Sequence, residues 1–400
     1  MKKPRIMIVT EVFYPEEFNI NDVALSWKSK GYDVDVLTMV PTYPESTIVD
    51  GYKNKFYQKE VWRSINVYRV KAIKGYKASL IKKFLKYFWF MLSGSIAALF
   101  LGKKYDYVLG YNAGPLTAMI PAIIICKLFK RPTTLWVQDV WPDSVYAYGF
   151  KKTKMLSFFL DKFVKFTYHN IDKIALSCKG FESKLKPYVK NGTTFVYIPN
   201  WAINLDMKSK PIELNEDAKV QFTFAGNTGK VQNLENIIQS FNKLSDEYLE
   251  KAQLNIIGDG SELERLKSLS TTDNIIFYGR KPRSEMMKYY KASSFLIVSL
   301  VNEPIFSVTV PAKFQTYIAA KRPILAIING DTANIVKDNN LGFVANPGDI
   351  SSIKNVFMQA IDTEKDILES FTKNCDKLNQ HDFNKDIIMD RLLELTTTKN

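Results

Sequence analysis

The sequence predicts two doubly wound α/β domains in tandem, with a cleft between them. Short apolar runs alternate with helical patterns along both halves of the chain, as in sheets of parallel strands joined by helices. The chain has 400 residues, 46% of them hydrophobic, which suffices for a packed core and exceeds one typical domain. Polar or glycine-rich turns follow several apolar runs, and open parallel sheets bind ligands at those strand ends.

The first half alternates strands and helices up to about residue 200. Predicted strands cover residues 5–10, 32–39, 61–70, 106–110, 133–138, 171–177 and 195–199, and predicted helices cover residues 22–30, 115–128 and 151–165. Asn21 or Asp22 is the expected N-cap of the first helix, and Gly31 its stop. We predict a first domain over residues 1–200 and a linker over residues 201–215.

The second half repeats the alternation. Predicted strands cover residues 220–226, 253–257, 275–278, 295–300, 324–328 and 342–345, and predicted helices cover residues 234–243, 262–268, 284–291, 312–320, 350–362 and 384–396. These patterns predict a second domain over residues 216–380 and a separate terminal segment over residues 381–400.

The stretch from Ile305 to Ile328 combines a loop, a helix and a buried strand. Pro311 suits the first turn of the helix, and Pro323 ends it. A helix start offers free backbone N–H groups to a phosphate, and Lys313 adds a full charge there. A helix selected for stability alone would favour an acid at that position. The alternative is that Lys313 is an ordinary solvated lysine.

Charge is distributed unevenly along the chain. The net charge is +14, and residues 1–200 contain 31 Lys and Arg against 15 Asp and Glu, so the whole basic excess lies in the first half. This asymmetry indicates an anionic partner for the first domain, such as a membrane surface, a nucleic acid or a phosphorylated substrate. Three scattered cysteines form neither a disulfide framework nor a metal pattern, which is typical of the cytoplasm. The N-terminus has too short an apolar run for a signal peptide.

Residues 61–105 contain ten Lys and Arg and no acid. They lead into an uncharged run over residues 87–101, which is shorter than the roughly 20 residues of a spanning helix. Three interpretations remain open: a helix buried against the sheet, a segment lying in the membrane interface, and a transmembrane span. The first two are compatible, because residues 71–86 can contact lipid while the following residues pack inside.

The second domain has four polar or glycine-rich signals at equivalent strand ends. They are residues 226–230, residues 258–260, Gly279-Arg280, and the helix start at residues 310–313. Glycine lets backbone amides approach a phosphate, and Lys230 and Arg280 supply charge. Each signal alone is ordinary turn chemistry, but together they predict a bound nucleotide. The chain has neither the dinucleotide-binding fingerprint nor a P-loop.

In the first domain, Asp139 follows a strand end and is the candidate active-site acid, although a turn or N-cap role explains it equally well. Asn19 and Asn21 lie in the loop after the first strand, where an asparagine can adopt the left-handed geometry that glycine often supplies. His169 and His381 are interpreted as structural. No motif requires a metal or another cofactor, and no nucleic-acid recognition module stands out.

Five motifs carry a family resemblance. They are GYDVDVLT at 31–38 after a Tyr-Pro loop, WVQDVWPDS at 136–144, AGNTGKVQNLE at 225–235, GDG at 258–260, and VPAKFQTYIAAKRPILA at 310–326. Over essentially its whole length the chain resembles glycosyltransferase family 4, in particular a bacterial surface-polysaccharide branch typified by N-acetyl-L-fucosamine transferases. The resemblance implies the GT-B fold, two facing Rossmann-like domains with a cleft, and a last helix that returns to the first domain.

The resemblance also implies roles for individual residues. Asp139 would face the transferred sugar, Lys230 and Lys313 the donor diphosphate, and Arg280 the base. The further donor-side residues would be Gly226, Asn227, Gly229, Gly258, Asp259, Val310, Gln315 and Thr316.

Two departures from the family pattern concern the ribose site and the first loop. Many members carry a glutamate pair, where this chain has Val308 and Thr316. Gln315 or Thr316 is then expected to contact the ribose, with Glu303 compensating from nearby. In the first loop Asn19-Ile20-Asn21 replaces a glycine pair, on the acceptor or sugar side.

The function implied is that of a metal-independent retaining glycosyltransferase at the inner face of the plasma membrane. It would move an N-acetylated sugar, with N-acetyl-L-fucosamine the leading candidate, from a UDP-sugar to a polyprenyl-diphosphate-linked glycan, in capsule or O-antigen biosynthesis. Residues 63–104 would contact anionic lipid. The rival interpretations are a non-catalytic scaffold of a polysaccharide assembly complex and a sugar-nucleotide epimerase. The scarcity of histidines counts against the epimerase.

Overall fold

The computed structural model describes residues 3–76, 79–147, 150–203, 206–214 and 220–398, without the side chain of Leu80. The chain divides into two compact units, which we call the first unit (residues 1–199 and 386–400) and the second unit (residues 200–385). Residues 77–78 of the predicted membrane segment, residues 204, 205 and 215 of the predicted linker, and residues 216–219 of the predicted second domain lie outside the described residues.

The strands of the described residues are β1 (Arg5–Thr10), β2 (Asp33–Met39), β3 (Tyr57–Trp62), β4 (Ile65–Val70), β5 (Tyr107–Asn112), β6 (Thr133–Val137), β7 (Lys173–Leu176), β8 (Thr194–Tyr197), β9 (Val220–Ala225), β10 (Ala252–Ile257), β11 (Ile275–Gly279), β12 (Phe295–Ser299), β13 (Ile324–Ile327) and β14 (Gly342–Ala345).

The helices of the same residues are α1 (Asn19–Ser29), α2 (Leu80–Leu101), α3 (Ile120–Phe129), α4 (Asp143–Ala147), α5 (Lys154–His169), α6 (Phe181–Leu185), α7 (Leu234–Phe241), α8 (Asp246–Leu249), α9 (Leu263–Ser268), α10 (Met286–Ala292), α11 (Ala312–Ala319), α12 (Asp331–Asp338), α13 (Ile350–Ile361), α14 (Lys365–Gln380) and α15 (Lys385–Thr397).

Each unit contains one sheet in which the strand order reverses at its middle. The order in the first unit is β3-β4-β2-β1-β5-β6-β7-β8, and in the second unit β11-β10-β9-β12-β13-β14. All pairs are parallel except β3 with β4. The order switches between β1 and β5 in the first unit and between β9 and β12 in the second. Ligand sites of open parallel sheets lie beyond the carboxyl ends of the strands at such points.

The structure corrects the prediction of a single strand over residues 61–70. Those residues belong to an antiparallel hairpin, β3–β4, that turns at Arg63 and Ser64 with φ of +46° and +65°. A two-residue hairpin turn of this hand usually carries Asn-Gly or Asp-Gly, so Arg-Ser gives no local signal.

Helix α2 is only partly buried, so of the three open interpretations a fully buried helix does not hold. Its inner face packs tightly on α3, because Gly94 and Gly102 leave no room for a Cβ beside Pro121 and Phe129. Its outer face exposes a continuous apolar stripe formed by Ile81, Phe84, Leu85, Phe88, Leu92, Ile96, Leu99 and Phe100. Residues 81–104 are long and apolar enough to cross a membrane by length and composition.

The terminal helix α15 belongs to the first unit. Ile388, Met389 and Leu392 are at most 2% exposed, and the Met389 carbonyl accepts a hydrogen bond of 3.2 Å from the indole of Trp27. The described residues of the predicted linker are anchored to the second unit instead. Lys291 donates to the carbonyls of Met207 and Ser209 at 2.7 and 2.9 Å.

Candidate functional site

The candidate site of the second unit surrounds the switch point between β9 and β12. The loop after β9 holds residues 226–233, and the loop after β12 leads into α11. A backbone hydrogen bond of 3.0 Å from Val301 to Val231 joins the two loops. Helix α11 starts after Pro311, with no acid and no side-chain cap in its first turn. Its first N–H groups therefore have no carboxylate of their own helix beside them.

Lys313, in the first turn of α11, is a partly buried cation with no carboxylate partner among the described residues. Its amine donates to Gln232 Oε1 at 2.7 Å and lies 3.8 Å from the centre of the Phe224 ring. A Cβ placed on Gly226 would lie 3.1 Å from the same amine. Burial lowers the pKa of Lys313 to about 7, and no acid among the described residues opposes that shift. An incoming anion would supply the missing partner.

The glycines around Lys313 let the strand-end loops pack on one another. A Cβ on Gly258 would lie 1.8 Å from the Gly226 carbonyl oxygen, and one on Gly260 would lie 2.8 Å from the Thr228 amide nitrogen. Gly258 also donates to the Gly279 carbonyl at 2.9 Å. The glycines of the GDG turn therefore have a structural role in loop packing, beyond the ordinary turn chemistry and the phosphate approach that the sequence analysis considered.

The remaining predicted donor-side residues differ in accessibility. Asn227, Lys230, Asp259 and Arg280 are exposed. The Asn227 side chain lies against the backbones of Gly229 and Gly260, and the Asp259 carboxylate accepts from its neighbouring amide at 2.7 Å. Arg280 directly follows the last residue of β11, Gly279, whose carbonyl is bonded to the GDG turn, so Arg280 lies next to that turn. The structure brings these side chains to the same edge of the sheet as Lys313.

Three residues near α11 lie in places that limit their predicted roles. Gln315 is 2% exposed, and in its satisfied orientation its amide donates to the Pro311 and Ala312 carbonyls, which corrects its assignment to the ribose. The Thr316 hydroxyl faces its own helix, 3.4 Å from the Ala312 carbonyl. Val310 is buried just before the helix. Glu303, by contrast, is exposed in the loop after β12.

Asp139 lies in the first unit, in a buried polar cluster beyond the ends of β5 and β6. Its Oδ1 accepts from the Val140 amide at 3.0 Å, and its carbonyl accepts from Asn112 at 3.4 Å. Burial raises the pKa of Asp139, and hydrogen bonding to the Ser144 side chain and the Val140 amide partly offsets this. Within the described residues, the buried hydroxyls of Ser144 and Tyr168 make no hydrogen bond of ordinary geometry, although Ser144 interacts with Asp139 and Tyr168 with Asn112. Unsatisfied buried hydroxyls are rare, so they mark this cluster as a candidate ligand site.

Asn19 and Asn21 are helical, which corrects the left-handed geometry expected for them. Helix α1 begins at Asn19, three residues earlier than predicted, and Asn19 is 7% exposed. Asn21 fixes the preceding loop, because it donates to the Glu16 carbonyl at 2.7 Å and accepts from the Tyr14 amide at 3.1 Å. The Asn21 side chain therefore holds this loop in place.

The structure adds two charged residues that the sequence analysis missed, Glu11 and Lys86. Glu11 directly follows β1 at the switch point and forms a buried ion pair with Lys86 of α2. Lys86 lies 4.0 Å from the centre of the Tyr76 ring. The second carboxylate oxygen of Glu11 is buried without a partner in the described part of the chain. An acid at the end of the first strand was the available signal, whereas its partner 75 positions later gave none.

Glu16 is another acid that the sequence analysis missed. Its carboxylate accepts from the amides of Thr42 and Tyr43 at 2.8 and 2.7 Å, and from Phe13 at 3.2 Å. It therefore joins two loops at the carboxyl edge of the sheet. As for metals, no group of three His, Cys, Asp or Glu side chains comes together within the described residues.

Comparison with known proteins finds a family profile that matches most of the second unit. Residues 206–378 match the profile of the family described as Glycosyl transferases group 1. The matched segment contains the β9/β12 switch point and Lys313.

Two curated relatives are similar to this chain. The protein named Probable glycosyltransferase WbjE of Pseudomonas aeruginosa is 28% identical over 264 residues, which cover 62% of this chain and 64% of the relative. The Escherichia coli K12 protein WcaI, named for colanic acid biosynthesis glycosyl transfer, is 23% identical over 60% of this chain and 61% of its own length. The chain thus spans slightly less than two thirds of either relative.

Solved structures resemble the chain over nearly its whole length. Sucrose-phosphate synthase from Thermosynechococcus elongatus superposes with a TM-score of 0.71 at 15% identity, covering 98% of both chains. An E. coli structure described as trehalose-6-phosphate bound with UDP-2-fluoro glucose gives a TM-score of 0.72 at 10% identity, covering 99% of both chains. At such identities the likeness establishes the fold, which is GT-B, as predicted.

Proposed function

From a GT-B fold whose second unit matches the group 1 glycosyl transferases, we propose that this chain is a retaining glycosyltransferase. It transfers an N-acetylated sugar, with N-acetyl-L-fucosamine the leading candidate, from a UDP-sugar to a glycan carried on a polyprenyl diphosphate. The proposed process is capsule or O-antigen synthesis at the cytoplasmic face of the membrane. The relative named for colanic acid biosynthesis supports a role in polysaccharide assembly.

Lys313 carries this proposal. Its amine is desolvated and has no carboxylate beside it in the described residues, at the first turn of α11, where the helix has no acid of its own. An ammonium group in this position is costly until an anion arrives, because only the neutral Gln232 amide and the Phe224 ring offset its desolvation. A diphosphate supplies that charge. The fold neighbour described with bound UDP-2-fluoro glucose supports a nucleotide-sugar as the source of the diphosphate.

The proposed donor site combines Lys313 with the exposed side chains at the same sheet edge. Lys230 and Asn227 would contact the diphosphate with the Gly226 and Gly229 backbone, and Arg280 would contact the base. Gly258 and Asp259 would hold the neighbouring loop. Glu303 remains the accessible candidate for the ribose, because Gln315 faces its own helix. No metal is part of this proposal, since two lysines and a helix start already neutralise the diphosphate.

The proposed chemical step uses the donor phosphate as the base. The acceptor hydroxyl oxygen bonds to the anomeric carbon as the bond from that carbon to the phosphate oxygen breaks. The hydroxyl proton passes to the departing UDP. Negative charge grows on the diphosphate during this step, so Lys313 and Lys230 lower the barrier by binding it more strongly in the transition state. Asp139 would orient the transferred sugar.

A peripheral position on the membrane is part of the proposal. One face of α2 is fixed on α3, while the other exposes apolar side chains near a cluster of lysines. Helix α5 adds exposed Met155, Phe158, Phe159 and Phe166. Apolar side chains flanked by lysines are typical of surfaces that lie in the interface of anionic bilayers. Each lysine near such a surface contributes about 1 kcal/mol.

Thermal shift with UDP, GDP, ADP and NAD, with and without magnesium, tests the donor site. UDP at about a hundredfold excess over its Kd should stabilise the protein by roughly 2.7 kcal/mol. We expect a shift with UDP that does not need the metal and that Lys313→Met abolishes. The control Lys337→Met removes an exposed lysine of the same unit. A shift with NAD alone would contradict the proposal, and so would the absence of a shift with every nucleotide tested. UDP binding without transfer to any acceptor would identify a scaffold.

A further inference from the structure

A groove of about 490 Å³ lies between α2 and the β3–β4 hairpin of the first unit. Its lining is almost entirely hydrocarbon and includes Phe56, Val70, Trp89, Leu92, Ala97 and Phe100. The indole N–H of Trp89 donates to the Lys71 carbonyl, and the Ser93 hydroxyl donates to the Trp89 carbonyl, both at 2.7 Å. Those two groups are already bonded, so the groove suits a chain that makes no hydrogen bonds.

We propose that this groove binds the isoprenoid chain of the lipid-linked acceptor. The inference rests on the proposed function, because it assumes that the acceptor carries a polyprenyl diphosphate. The groove is of ligand-binding size and open, and it is continuous with the exposed apolar stripe of α2 through Leu92, Ile96 and Phe100. A chain leaving a bilayer against that stripe would enter the groove without crossing water.

Charge at the start of α2 favours a diphosphate lipid over an ordinary phospholipid. Lys74 and Lys82 are exposed around the start of α2, and residues 61–105 contain no acid, so this end of the helix matches a diphosphate head group better than a single phosphodiester. Lys71 lies 5.4 Å from the Phe56 ring, and Lys82 is exposed in the first turn of α2. At 1.5 Å per residue, Lys82 and Leu92 are about 15 Å apart along the helix. A head group near the first turn therefore leaves its chain alongside the groove.

Two leucines of α2 form a matched pair for the test. Leu92 lines the groove and is 51% exposed, whereas Leu99 lies outside the lining and is 46% exposed. Leu92→Asp and Leu99→Asp make the same change on the same helix, and neither removes a fully buried side chain. Ala97→Phe fills the groove from its inner wall and serves as a second variant, once an unchanged melting temperature shows that it folds.

Binding of farnesyl diphosphate to the full chain is measured by calorimetry, and by the change in total tryptophan fluorescence, to which Trp89 in the groove contributes. We expect Leu92→Asp and Ala97→Phe to weaken binding at least tenfold, and Leu99→Asp to change it less than twofold. Inorganic diphosphate, which has no chain, should bind all four proteins alike. Equal affinity of wild type and Leu92→Asp for farnesyl diphosphate would overturn the proposal.

Two further measurements are needed. One distinguishes an isoprenoid chain from an acyl chain in the groove, and the other distinguishes failure of the groove proposal from failure of the transferase proposal. Vesicles of dioleoylphosphatidylglycerol compete with farnesyl diphosphate. Loss of vesicle binding in Leu92→Asp, with farnesyl diphosphate binding intact, would assign the groove to acyl chains and overturn the isoprenoid proposal. The UDP thermal shift is measured on the same variants. If UDP fails to bind but the leucine pair discriminates, the transferase proposal fails while the groove assignment stands.

Discussion

Two desolvated lysines, one in each unit, differ in whether a carboxylate compensates their charge. Lys86 of the first unit is ion-paired with Glu11, whereas Lys313 of the second unit has no carboxylate partner among the described residues. Burial by itself lowers the pKa of Lys86, but Glu11, Tyr76 and Glu16 outweigh it, so the pKa ends above its usual value. Burial alone acts on Lys313, and its pKa falls to about 7.

The difference indicates which of the two lysines has a structural role. A paired buried charge is satisfied within the protein, so it fixes α2 to the end of β1. An unpaired one lowers stability and persists where function requires it. The hydroxyls follow the same division. Tyr105 donates to Asp35 at 2.6 Å at the opposite edge of the sheet, whereas the Tyr168 hydroxyl beside Asp139 interacts with Asn112 but makes no hydrogen bond of ordinary geometry in the described residues.

Breaking the Glu11–Lys86 pair should have the largest effect on stability. Lys86→Met leaves the Glu11 carboxylate buried and unpaired, so the free energy of unfolding should fall by about 3–5 kcal/mol. Urea denaturation measures this change. Lys82→Met, which removes an exposed lysine of the same helix, is the control and should stay within about 0.5 kcal/mol of wild type. A loss below about 1 kcal/mol for Lys86→Met would show that the pair contributes little to the scaffold.

Removing Lys313 should lower activity and raise stability. Lys313→Met takes away a group that stabilises the departing diphosphate, so kcat/KM should fall by about 10²–10³. The folded pKa of about 7 lies below the unfolded value of about 10.4, so wild-type stability should rise with pH between those values. Lys313→Met should lack this slope and be more stable than wild type at pH 7. A less stable variant would mean that Lys313 has a structural role.

Local sequence patterns predicted the elements around the candidate site of the second unit. Contacts between residues far apart in the sequence could not be predicted. The strand β12, the helix α11 and Lys313 lie within about 20 residues, and each has its own signal in apolar runs, prolines or charge. Glu11 and Lys86 are 75 positions apart in the sequence, and no periodic pattern predicts that they form a pair. The packing of Gly258 on Gly226 could not be predicted either, because a glycine in a loop can serve several different structural purposes.

Helix α2 shows another limit of the sequence. Its apolar run left three interpretations open, and burial was the one favoured by the rule that hydrophobic residues usually lie inside. Which face of a uniformly apolar helix is covered depends on its neighbours, and α3 covers only one side of α2. The hairpin turn at Arg63 and Ser64 was missed for the opposite reason, because its residue types are unusual for its backbone geometry.

The pH dependence of UDP affinity sharpens the contrast between the two lysines. A diphosphate binds the charged form of Lys313, and that form is half populated near pH 7 in the free protein. UDP affinity should therefore fall as pH rises above 7, by at most tenfold per unit, and binding should take up protons. Calorimetry in buffers of different ionisation enthalpy measures both quantities. The profile of Lys313→Met should be flat, and a flat wild-type profile would refute the assignment.

Two buried tyrosines of the first unit provide the smallest predicted difference. Tyr105→Phe removes a donor from the buried Asp35 carboxylate, so the free energy of unfolding should fall by about 1–3 kcal/mol. Tyr168→Phe removes a buried hydroxyl whose interaction with Asn112 lacks ordinary hydrogen-bond geometry in the described residues, so stability should change by less than about 0.5 kcal/mol or rise. Urea denaturation of both variants measures the contrast. Equal losses would mean that the Tyr168 hydroxyl is satisfied in solution and that the polar cluster around Asp139 belongs to the scaffold, because only an unsatisfied group can be removed without cost.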